Sequence, residues 1–122
     1  LKLLLTLTAL IEATTGVALL VLPSVVVSLL LAAPLSESSG ILLGRIAGAS
    51  LISLAAACWL ARNHTLPSLI MTKALIVYNA GAAILLIFAT QVENFSGTGL
   101  WPAVLLHTGM FAWCVQSIRA HK

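Results

Sequence analysis

The sequence predicts an all-α integral membrane protein, an antiparallel bundle of four transmembrane helices with a short interfacial helix after the first. Three observations predict it. The chain has 122 residues, of which 61% are hydrophobic and 7% charged, against roughly 25% charged in soluble domains. A water-soluble chain of this length has too little interior to hide so much apolar surface. Four runs, 3–22, 41–61, 69–90 and 100–118, each come near the ~20 apolar residues that a spanning helix needs. They are rich in Leu and Ala and lack the alternation of ~10-residue barrel strands. Lastly, the basic residues segregate. Lys2, Arg62, Lys73, Arg119 and Lys122 flank one set of helix ends, whereas the loops 23–40 and 91–99 hold Glu37 and Glu93 and no Lys or Arg. The positive-inside rule then places both termini in the cytoplasm. The expected setting is a bacterial cytoplasmic (inner) membrane, with residues 1–122 as a single transmembrane domain.

The first run starts with Lys2 as a secretion signal would, but its apolar core is too long and has a glutamate in its middle. It is read as a retained helix. Pro23 ends or kinks it. The next stretch, "LPSVVVSLLLAAPLSESSG", is too apolar for a free aqueous loop. Residues 24–33 are expected to form a helix at the outer interface; in the other reading, the first helix continues past Pro23, kinked and tilted. "SESSG" is the turn into the second span. The short link "RNHTLPS", with Pro67 suited to a first helical turn, makes the second and third spans antiparallel neighbours. "QVENFSGTG" leads into the fourth span at Trp101, a residue type that anchors helix ends at the interface. Trp59 and Trp113 are placed at the inner one.

Polar groups inside the spans are the candidate functional residues, because a charge at the bilayer centre costs at least ~2.5 kcal/mol. With a rise of about 1.5 Å per residue, Glu12 lies ~15 Å from the outer boundary, Arg45 ~6 Å, Asn79 ~16 Å and His107 ~10–12 Å. The four come one per helix and all lie in the outer half. Glu12 with Arg45 is the expected pair, since a long Arg side chain bends toward depth or surface. In "GRIAG", Gly44 and Gly48 bracket Arg45, a spacing that lets helices approach closely, and Gly16 is placed to receive them. Thr8 and Thr15 add hydroxyls near the same face. The plain reading is a buried ion pair that fixes packing; the rival is a proton or substrate site at Glu12. Asn79, in "YNAGAA", reads as interhelical glue, with Tyr78 turned about 100° away. His107 reads as an interhelical hydrogen-bond partner; as a haem ligand it would need a second axial residue.

Much chemistry is excluded. Cys58 and Cys114 form no CxxC or zinc spacing and read as small apolar residues. There is no P-loop, HExxH or Ser/His/Asp set, and no basic stripe for nucleic acid. Neither an enzyme, a metal nor a cofactor is expected. The lead expectation is a structural or accessory subunit of a larger membrane complex, with the bilayer and other subunits, or further copies of the chain, as partners. The alternative is a small proton-coupled transporter using Glu12 with His107. In plan the chain resembles the small multidrug-resistance transporters, which carry a membrane-embedded glutamate in the first helix, as "LIEATTG" does here. The resemblance implies four helices and a carboxylate as the coupling group. It covers architecture and this placement, not the aromatic and glycine pattern of the later helices. DoxX-like proteins share the size and helix count.

Overall fold

A chain this apolar has to satisfy its backbone N–H and C=O groups internally, and helices do so within one segment. The structure, a computed structural model, describes residues 1–121 and is all-helical. Its five helices are α1 (Lys2–Val21), α2 (Pro23–Leu31), α3 (Ser38–Ala61), α4 (Thr65–Gln91) and α5 (Leu100–Arg119). Lys122, one of the basic residues used for orientation, lies outside the described residues. Three helices, α1, α3 and α4, are long and apolar enough to cross a membrane, which suggests a membrane protein. α5 has 20 residues but interleaves Trp, His, Thr, Gly and Gln with its apolar positions and falls short of the other three in hydropathy.

Proline and the small residues decide where the chain breaks. Leu22 leaves the helical region (φ −128°, ψ 53°), and Pro23 starts α2 at its first position, where its missing N–H costs nothing. Pro23 is buried and lies against Gly44 of α3, where a Cβ would stand 3.0 Å from its ring. α2 ends at Ala32 in the left-handed region, φ 54°, a conformation costing a non-glycine residue roughly 1–2 kcal/mol. The α4–α5 loop docks on this end. Gly99 donates its N–H to the Leu29 carbonyl at 2.8 Å, and Gly97 lies so close to the Leu29–Leu30 backbone that a Cβ would overlap it. At the opposite end, Ser68 donates to the Ala61 carbonyl across the α3–α4 turn at 2.8 Å. The Arg62 guanidinium lies 3.3 Å over the Trp59 ring.

The helices pack as two antiparallel pairs. α1 lies along α3, with backbone touching backbone: a Cβ on Gly48 would be 2.7 Å from the Gly16 carbonyl oxygen, and one on Gly16 would be 2.8 Å from that of Gly48. α4 lies along α5. The pairs meet near the basic ends in a core of Leu4, Leu5, Ala9, Cys58, Ala61, Leu75 and Cys114. Elsewhere large apolar side chains point outward, among them Leu60 and Val77 at 74% exposure and Leu105 at 70%. A monomer in water rarely carries that much contiguous apolar surface.

Candidate functional site: a polar floor beneath an apolar cavity

Helix rotation decides which polar side chains meet. On α1, Thr8, Glu12 and Gly16 recur at i, i+4, i+8 and so lie on one face. All three are buried. Gly16 settles against α3, and Glu12, one turn earlier, faces α4. There its Oε2 accepts a hydrogen bond from the Tyr78 hydroxyl at 3.1 Å. On α4, Tyr78 and Asn79 are neighbours turned about 100° apart, so one reaches α1 and the other α5. Asn79 Oδ1 is 2.9 Å from His107 Nδ1, and Tyr78 meets the same imidazole edge-on, ring centroids 5.6 Å apart. Three of the four expected residues, Glu12, Asn79 and His107, are thus gathered, and Tyr78 links them.

Arg45 is not in the cluster. The expected Glu12–Arg45 pair is not made; Arg45 is exposed on α3. Register explains this. Gly48 packs against Gly16, Leu19 and Leu20, so in an antiparallel pair Arg45 is level with the last turn of α1, about 12 Å by helical rise from Glu12. Gly16 and Gly48 stand face to face, whereas Gly44 faces Pro23. Cys58 and Cys114 are buried free thiols. No group of three or more His, Cys, Asp or Glu able to hold a metal occurs among the described residues.

Tyr78 is the residue that sequence reasoning misses. A signal for it exists: it is the chain's one tyrosine, it lies in mid-span, and its hydroxyl needs a partner when buried.

Above this cluster lies a cavity of about 720 Å³ between the two helix pairs, within the size range of small-molecule sites. Its walls are apolar: Leu19 of α1, Leu51 of α3, Leu85 and Leu86 of α4, Pro102 and Leu106 of α5. Val26, Leu29 and Leu30 of α2 line it toward the acidic end. Glu12, Thr15, Tyr78 and His107 supply its polar groups, and no Lys or Arg lines it.

The hydrogen-bond network sets the polarity of that floor. Asn79 Nδ2 donates to the Leu75 carbonyl at 2.8 Å, which fixes the amide with Oδ1 toward His107. An amide oxygen only accepts, so His107 Nδ1 carries the proton and, in the neutral ring, Nε2 is an acceptor. The Tyr78 proton is committed to Glu12. When Glu12 is ionised, the floor presents a carboxylate, an imidazole lone pair and a phenol lone pair, with Thr15 able to serve in either sense. Such a floor receives hydrogen-bond donors and cations and repels anions. No protein-family model, curated protein or solved structure matches the chain.

Proposed function

We propose that this is a four-helix integral membrane protein that binds a small, largely apolar molecule with a hydrogen-bond-donating or cationic head, exchanging it for a proton at Glu12. In this reading α1, α3, α4 and α5 cross a bacterial inner membrane. α2 lies at its outer face, and Lys2, Arg62 and Arg119 mark the cytoplasmic side. The observation that carries the reading is the cavity reaching Glu12: an apolar volume with one carboxylate at its floor and no basic residue to neutralise it. A bare charge at that depth costs at least ~2.5 kcal/mol. A proton or a cation on the carboxylate removes that cost, and competition between the two is the basis of coupled exchange.

The test is calorimetric titration in lipid nanodiscs with octylamine, octanol and octanoate, with proton release followed by a dye in weak buffer. Octylamine should bind beyond its partition into empty nanodiscs and release a proton, and Glu12→Gln should abolish both effects. Octanoate should not bind. Equal uptake of all three by wild type and Glu12→Gln would refute the reading.

One observation favours the second reading, a structural or accessory subunit. A Cβ on Gly81 of α4 or on Gly109 of α5 would meet nothing within 4 Å. Each of these helices therefore carries one glycine open to the outside, the residue type at which helices pack closely. Purification in mild detergent with mass spectrometry separates the readings. A stoichiometric larger complex supports the subunit, and a lone chain or homo-oligomer supports the carrier.

A further inference from the structure

A second, much smaller void of about 10 Å³ lies beside the cluster, lined by Thr8, Ile11, Glu12, Asn79, Leu106, His107 and Met110. That is about the room one water molecule needs, provided polar partners surround it. Three of the polar residues around it are almost wholly buried: Thr8 and Asn79 at 2% exposure and Glu12 at 6%.

Thr8 marks the void as a site. Several helix hydroxyls return to a carbonyl one turn back, among them Thr6 to Lys2, Thr72 to Ser68 and Thr108 to Val104, each at 2.8 Å. Thr8 does not. Its Oγ1 is buried with no hydrogen-bond partner in the protein, a state that is rare because it is costly. Its neighbours across the void supply what a water would need. Glu12 Oε1 and His107 Nε2 make no hydrogen bond among the described residues, and both are acceptors. Glu12 is faced by Tyr78 from α4 and His107 from α5, and from α3 the Cys58 thiol lies near enough to interact with it.

We propose that this void binds one water molecule, which accepts from the Thr8 hydroxyl, donates to the Glu12 carboxylate and to His107 Nε2, and carries protons between them. Three hydrogen bonds are the usual complement of a buried water, and here donors and acceptors balance. In the transfer, the O–H bond of a protonated Glu12 breaks as its proton joins the water oxygen. One of the water's own O–H bonds breaks as that proton forms the Nε2–H bond. The products are carboxylate, imidazolium and the water itself. The void shares Glu12 and His107 with the floor of the larger cavity, but its water is tested below with no ligand in that cavity, so the two readings can fail separately.

The experiment is infrared spectroscopy of the protein in nanodiscs, in H₂¹⁶O and H₂¹⁸O, for wild type, Thr8→Val and Thr8→Ser. The wild type should show an ¹⁸O-sensitive O–H stretch of an ordered water. Thr8→Ser should keep it and Thr8→Val should lose it. Hydrogen–deuterium exchange at the Glu12 carboxyl, its band assigned by Glu12→Gln, should slow about tenfold in Thr8→Val, the factor one hydrogen bond is worth. Thermal unfolding gives a second criterion. A bridged Thr8 predicts a lower Tm for Thr8→Val, whereas an orphaned hydroxyl predicts a higher one. Absence of the ¹⁸O-sensitive band in wild type, its persistence in Thr8→Val, or a raised Tm in that variant overturns the proposal.

Discussion

The basic half and the acidic half of the bundle are built from the same few residue types and are packed in opposite ways. Below the level of Glu12 the helices close on Leu4, Leu5, Leu75, Cys58 and Cys114, none more than 1% exposed. Above it the same four helices stand around about 720 Å³ of open space. The difference lies in what each half uses as a spacer. At the basic end a three-residue link (62–64) joins α3 to α4 and draws the two pairs together. At the acidic end α2 and the α4–α5 loop come between the pairs, latched to each other by Gly97 and Gly99. Composition alone distinguishes neither half, whereas the connections distinguish both.

Truncations should reveal this contrast most strongly. Leu75→Ala, in the closed half, should cost about 3 kcal/mol, in the range for emptying a packed site. Leu86→Ala, on the cavity wall, should cost under ~1 kcal/mol, because it enlarges a space already present. Chemical unfolding in detergent micelles measures both, and equal losses would erase the distinction between halves. Next in size is Gly97→Ala. Its methyl group would meet backbone rather than a movable side chain, so α2 must shift, at about 2 kcal/mol for an overpacked contact. Amide exchange at Gly99 should quicken while that of α3 near Cys58 stays protected.

The smallest effects concern the link across the pairs. Tyr78→Phe removes the hydrogen bond to Glu12 and should cost about 0.6 kcal/mol, the average for interhelical bonds in membrane proteins. Arg45→Leu should stay within ~0.5 kcal/mol, as exposed substitutions do. A loss above ~2 kcal/mol for Arg45→Leu would instead be the mark of a broken buried charge pair. It would revive the Glu12–Arg45 pairing expected from sequence.

The helices are legible in the sequence because the constraint that makes them is local: long apolar runs with punctuating prolines leave the backbone little choice. Glu12 is legible for the same reason, as a charge whose cost stands out in such a run. What escapes is what depends on rotation. Depth along an axis can be counted, but the register and rotation of one helix against another cannot until a contact sets them. The Gly16–Gly48 contact supplies that setting for α3 and carries Arg45 away. Tyr78 drops out of a sequence reading as turned from Asn79, on the premise that α4 has one inner face. It has two, toward α1 and toward α5. The latch between α2 and residues 97–99 joins segments some seventy positions apart, and no local pattern announces it.

The short link between α3 and α4 also has a mechanical meaning. It makes the molecule a book whose spine is at one end and whose pages are the two helix pairs. Tyr78 is 13 residues beyond the start of α4 at Thr65, about 20 Å along the axis. The last residue, Gln91, is about 39 Å along. A swing of about 5° at the spine therefore displaces the Tyr78 level by about 1.7 Å and the far margin by about 3.4 Å. The first displacement exceeds what a hydrogen bond tolerates, and the second approaches the width of a methylene chain. The book therefore has two clasps, the Tyr78–Glu12 bond near the middle of the page and the Gly99–Leu29 bond at its far margin, and the same swing has about twice the leverage against the second.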